Sequence, residues 1–156
     1  MNRRVGIVLA TLVAAGIFTC VPGTFSQPTP QANRKAIDLP GKTVQAPFSD
    51  AILAGNTLYL AGRIGLDPKT GKAPDKIEDE IKILLDGEKD VLAQAGLTMD
   101  DLVYVQIFCS DLTLFDKFNP IYKSYFTKEY PARAFIGAGS LLRGGHFELQ
   151  AIAVKR

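Results

Sequence analysis

Between Ala51 and Gly65 the chain reads AILAGNTLYLAGRIG, two short β-favouring runs parted by Gly55-Asn56. A two-residue break of that kind is hairpin chemistry, so strands are predicted over Ala51–Ala54 and Thr57–Arg63. LDPKTGKAP then reads as a loop. After it the period changes: Ile77, Ile81, Leu84, Leu85, Val91, Leu92 and Ala95 recur at helical spacing, and Gly96 marks the stop. Asp75, with Glu78 three residues on, predicts a capping box at the start of this helix. LVYVQIFCS, Leu102–Ser110, has the composition of a central strand. From Asp111 or Thr113 to about Phe126 the pattern is helical again, with Leu114, Phe118, Ile121, Tyr122 and Tyr125 on one side. Pro120 inside it predicts a kink, or a restart capped by Asn119. Ala132–Ala138 and Phe147–Lys155 are the last strands, joined through the glycine-rich SLLRGG.

The order β-hairpin, α, β, α, β, β predicts an α+β domain, with two helices on one face of a mixed sheet. In FELQAIAV the set Phe147, Leu149, Ala151, Ala153 alternates with Glu148, Gln150, Ile152, Val154, so the strand is partly apolar on both sides. Two helices cover one face only. The second face needs another partner, and a further copy of the chain is the economical one.

The N-terminus has a different character. Arg3 and Arg4 precede an uncharged run from Val5 to Val21, and Thr24-Phe25-Ser26 places small residues at the −3 and −1 positions of a cut before Gln27. That layout predicts a signal peptide over residues 1–26 and export to the periplasm or beyond. An uncleaved anchor, or lipid on Cys20, are the alternatives. Residues 27–37, rich in Pro, Gln and Asn at their start, read as a linker, which leaves 38–156 as one domain. Without Arg3 and Arg4 the chain carries sixteen basic and sixteen acidic residues, so nothing in its charge calls for nucleic acid. Nor does it call for membrane association once the signal is cut. Cys109 and His146 then stand alone, with no CxxC, HExxH or P-loop pattern, and no metal or cofactor is expected.

Two charges interrupt the C-terminal strands, Arg133 in YPARAFI and Glu148 in FELQ. They are either a structural ion pair or strand-end residues, or else they belong to a cleft between subunits. In the cleft reading Arg133 grips a carboxylate with its planar donor fork and Glu148 moves protons. Cys109 reads as a core residue, His146 as an exposed structural residue and Arg63 as a strand-end surface residue.

The stretches AGNTLYLAGRIGLDPKTG, VLAQAGLTMDDLVYVQIFCSDLTLFDKFNPIYKSYF, YPARAFIG and FELQAIAVKR together resemble the Rid family, reactive intermediate deaminases also called the YjgF family. The resemblance runs from about Gln45 to Arg156. It implies a chorismate-mutase-like fold, a homotrimer with clefts between subunits, and hydrolysis of 2-imino or 2-enamino acids to 2-oxo acids and ammonia. It implies no cofactor. It also implies that Arg133 binds the substrate carboxylate and Glu148 is the acid/base group, that Asn119 and Phe115 line the cleft, and that Gly62 and Phe135 contribute backbone. Three positions depart from the family pattern: Phe48 where a tyrosine is usual, Ala61-Gly62-Arg63 for Ser-Gly-Gln, and Phe135 for a frequent cysteine. These departures leave a second reading open, a module on the same fold that binds small carboxylates without turning them over.

Overall fold

The computed structural model describes residues 33–42 and 46–156. The signal-peptide segment 1–26 lies outside them. Strands β1 (Arg34–Ile37), β2 (Ala51–Ala54) and β3 (Thr57–Ile64) are followed by helix α1 (Ile77–Gln94). Then come β4 (Leu102–Cys109), α2 (Phe115–Lys123), β5 (Ala132–Gly137) and β6 (Phe147–Val154). All six strands form one sheet in the order β1-β2-β3-β6-β4-β5. Every pairing is antiparallel except β4 with β5, which is parallel. The α+β class, the mixed sheet and the paired helices are as expected.

One face of the sheet carries the core. Leu58 and Leu60 of β3, Val105 and Ile107 of β4, and Phe147, Leu149 and Ala151 of β6 point under the helices and are buried. From α1 they meet five residues of the predicted stripe, Ile81, Leu84, Leu85, Val91 and Leu92, all at 0% exposure, with Ile77 and Ala95 at its ends partly buried. Phe118 and Tyr122 of α2 complete the layer. Among the described residues no helix lies over the opposite face: Tyr59 and Ile136 are exposed, and Phe108 and Ile152 are half-buried. On that face Gln150 donates to Gln106 across the strands at 3.2 Å.

Four local expectations are corrected. Residues 34–37, placed in the linker by composition, form edge strand β1 in register with β2. Helix α1 begins beyond Asp75, on Lys76, with no side-chain cap; the acids of its first turn, Glu78, Asp79 and Glu80, instead face the positive end of the helix dipole. Helix α2 runs through Pro120 without a restart at Asn119. Pro120 is exposed, so water can satisfy the carbonyl that its missing N–H leaves over. The segment before α2 is a turn of 3-10 helix, Leu112–Leu114, capped by Asp111 accepting from the Thr113 amide at 2.9 Å.

Candidate functional site

Arg133 and Glu148 are not an ion pair within one chain, because strand alternation sends them to opposite faces. In the sheet Arg133 is level with Val105, which lies wholly under the helices. Glu148 lies between Phe147 and Leu149, both fully buried, so its side chain turns to the open face, level with Phe108 and Ile64. Neither has an oppositely charged partner among the described residues. The site is therefore laid down as two halves.

The first half is on edge strand β5 and helix α2. The Arg133 Nη2 donates to Asn119 Oδ1 at 2.8 Å. Its guanidinium carbon lies 4.7 Å from the centre of the Tyr122 ring, with Phe135 at 5.8 Å and Phe115 at 5.9 Å. Phe115 and Phe135 meet edge to face at 5.0 Å. A weakly hydrated guanidinium is well suited to such a box of ring faces, and the Asn119 bond fixes its plane. A cavity of 180 Å³, walled by Arg133, Asn119, Tyr122, Tyr130 and Pro131, opens beside it. Burial pushes the Tyr122 hydroxyl up to about 12, so it stays protonated beside the cation.

The second half is on the open face. Phe48, Gly62, Ile64, Leu66, Leu142 and Glu148 line a depression of 400 Å³. Between Leu60 and Arg63 the β3 register slips by one residue against β6, a β-bulge. The bulge brings Gly62 so close to Glu148 that a Cβ there would collide with the carboxylate. Phe48 is exposed at its rim. Of the seven residues expected at the site, Arg133, Asn119, Phe115 and Phe135 thus come together in one half, and Phe48, Gly62 and Glu148 in the other.

Three further expectations meet the structure here. Cys109 is a fully buried core residue, as read. His146 is more than an exposed residue: its Nδ1 lies 2.7 Å from Glu80, and its amide and that of Phe147 donate to the same carboxylate at 2.6 and 3.1 Å. Fully buried Glu80 thereby pins the first turn of α1 to the start of β6. Arg63 is not a free surface residue. It turns away from the depression at Glu148, under α1, with Nη2 3.5 Å from Asp50 and Nε 3.8 Å from buried Glu88.

The fold and the two halves define a single-domain α+β protein with an arginine held by Asn119 and aromatic rings on one edge and a carboxylate on the other face of the sheet. Residues 41–155 match the family described as endoribonuclease L-PSP, and the chain belongs to that family, which includes the Rid and YjgF proteins. The chain is 37% identical over 110 residues to a RutC family protein of Pyrococcus horikoshii, covering 70% of this chain and 87% of that one. It is 34% identical over 110 residues to the bovine 2-iminobutanoate/2-iminopropanoate deaminase, covering 70% and 80%. Among solved structures, a putative endoribonuclease L-PSP from Entamoeba histolytica aligns with TM-score 0.71 at 34% identity over 78% of this chain and 99% of its own. Escherichia coli TdcF, solved with bound serine, aligns with TM-score 0.71 at 28% identity over 78% and 99%.

Proposed function

We propose that the protein hydrolyses reactive 2-imino and 2-enamino acids, of the 2-aminoacrylate type, to 2-oxo acids and ammonia. The reaction would take place in clefts where the Arg133 half of one subunit meets the Glu148 half of the next, in a homotrimer. The observation that carries this reading is the split itself. Two charged groups lie on opposite faces of one sheet, each beside an open cavity and neither in a salt bridge among the described residues, although Arg143 also lines the depression at Glu148. A second copy on the uncovered face supplies each half with its complement. Deaminase-named relatives and a relative's structure with bound serine, itself an amino acid carboxylate, support the same chemistry.

In this reading the substrate carboxylate takes the two-pronged face of Arg133, whose plane Asn119 holds. The imine carbon then lies toward Glu148. Glu148 accepts a proton from the attacking water as the C–O bond forms, and returns it to the nitrogen. Glu148 then takes the proton of the carbinolamine hydroxyl and gives it to the amino nitrogen, the C–N bond breaks as the C=O bond forms, and ammonia leaves with the 2-oxo acid. No metal or cofactor is called for, and general acid–base help of about 10²–10⁴-fold is enough for an imine that hydrolyses unaided.

The test is release of 2-oxo acid by the purified protein, from imino acids made in situ by an amino-acid oxidase, beside Arg133→Ala. Acceleration by the parent protein and none by the variant is the expected result; equal rates would remove Arg133 from the mechanism. The binding-module reading draws on Phe48, which gives the rim a ring without a hydroxyl. Its signature is saturable 2-oxo acid binding with no acceleration. Export rests on residues 1–26, and a tag fused after Arg156 that remained cytoplasmic would count against it.

A further inference from the structure

Glu88 lies in the middle of α1 and faces the sheet, 1% exposed, among Leu84, Leu85, Val91 and Leu92; the other buried acid of the helix, Glu80, is bonded to His146 and Phe147, whereas Glu88 is not so met. One of its carboxyl oxygens, Oε1, has no hydrogen-bond partner among the described residues. That oxygen is also the atom 3.8 Å from the Arg63 Nε, too far for a hydrogen bond. The neighbouring residue is Gly87, a costly choice inside an 18-residue helix. The space explains it: a Cβ at Gly87 would come within 2.8 Å of the Arg63 Cδ and 3.2 Å of its Nε. Helix α1 gives up a side chain so that the arginine can cross it. Asp50, 3.5 Å from the Arg63 Nη2, holds the outer end of the guanidinium.

Arg63 is also the residue that closes the β3 bulge, and the one before it, Gly62, is packed against Glu148. The buried acid and the cleft acid are thus joined through two adjacent residues of one strand. We propose that Glu88, acting through Arg63, is a positioning residue that sets how the Gly62 backbone meets Glu148. This rests on the deaminase reading only in naming what the positioned group does. Burial pushes the Glu88 carboxyl up to about 8, against the pull of Arg63 and helped by Asp50. Below that pH it is a neutral acid that leaves the arginine to Asp50; above it a carboxylate draws the guanidinium inward. The other charged groups at the cluster are Lys42, 3.5 Å from Asp50, and Asp38, which pairs with Lys42 and accepts from the Asp50 amide at 3.0 Å, while His146 is occupied by Glu80, about 12 Å away along the helix axis at 1.5 Å per residue.

The reporter is the Gly62 amide resonance of ¹⁵N-labelled protein, followed from pH 6 to pH 9.5 in the parent chain, Glu88→Gln and Arg63→Gln. Glutamine is the isostere of the protonated acid, so the first variant keeps the packing. A step near the Glu88 midpoint in the parent, absent from both variants, is expected. A Gly62 resonance that follows pH identically in the parent and Glu88→Gln overturns the proposal. A step lost in Glu88→Gln but kept in Arg63→Gln overturns the route through the arginine. Turnover is read separately. The parent's kcat should change by about tenfold between pH 7 and pH 9, the scale of a small misplacement at a reacting group, with no comparable change in Glu88→Gln. A correct Gly62 response with no release of 2-oxo acid by any of the proteins would keep the positioning role and discard the deaminase reading.

Discussion

Glu88 makes a prediction about stability that is independent of any substrate. Its carboxyl ionises near 4.5 in the unfolded chain and at about 8 in the folded one, because burial penalises the charged form more than Arg63 favours it. The ion-pair geometry and the raised value pull in different directions. Burial decides between them, since at 3.8 Å the arginine makes no hydrogen bond to the carboxylate. Between those pH values the folded protein holds a proton that the unfolded chain has lost. Stability therefore falls as pH rises through the window, and the loss is complete above the folded value. A displacement from 4.5 to about 8 corresponds to roughly 5 kcal/mol. That is a large share of the 5–15 kcal/mol that typically holds a domain together.

The assay is urea unfolding of the parent and Glu88→Gln at pH 5, 6, 7, 8 and 9. Subtracting one protein from the other cancels groups that titrate alike in both. At pH 5 the two should differ by less than about 1 kcal/mol, since a protonated acid and an amide have the same shape and a similar polarity. The variant should then gain on the parent at each step up to about pH 8 and level off beyond it. A difference that stayed flat with pH, or favoured the parent at high pH, would refute the reasoning. It would mean that Glu88 is charged and paired throughout.

Three further outcomes follow from contacts. Gly87→Ala should destabilise the protein despite the gain of about 1 kcal/mol in helix propensity, because the new Cβ meets Arg63; in an Arg63→Ala background the same change should stabilise, and thermal unfolding of the four proteins reads the reversal. Gly62→Ala should displace the Glu148 carboxylate and lower kcat by about 10²-fold, with intact circular dichroism, and an unchanged rate would show that the bulge does not govern the acid. Phe118→Ala should cost about 3–5 kcal/mol in urea unfolding, since the ring is fully buried among Phe135, Tyr122 and Phe147 at centroid distances of 4.9–5.8 Å.

The elements that the sequence made legible are those whose pattern reports burial directly. Helical spacing from Ile77 to Ala95 reflects one face under a sheet, and Gly96, at φ 72°, ends it as a left-handed residue does. The hairpin at Gly55-Asn56 is equally local, with Gly55 at φ 62°. What was not legible depended on partners distant in sequence. RKAI has no strand signature of its own and becomes β1 because β2 offers an edge. Asp75 carries the right chemistry for a cap, yet the helix starts beyond it, with Glu80 of its first turn committed to the backbone and ring around His146, 66 residues away.

The candidate site shows the same division more sharply. That Arg133 and Glu148 were out of place in their strands was visible from residue type alone, but their relation to one another was not. A strand alternates faces with a period of two, so the side of the sheet each residue takes is fixed by its register with β4, and register is a tertiary fact. Once it is known, an ion pair within the chain is excluded, because the sheet itself separates the two charges. Glu88 is the complementary case, with a signal that was present and passed over. It falls on the same stripe as Leu84, Leu85, Val91 and Leu92, where an acid has no business unless something meets it. An acid on an apolar stripe, a glycine beside it, and an arginine at the end of the neighbouring hairpin are three anomalies when taken singly. In the folded chain they have one cause, an arginine threaded under a helix next to the bulge that packs against Glu148.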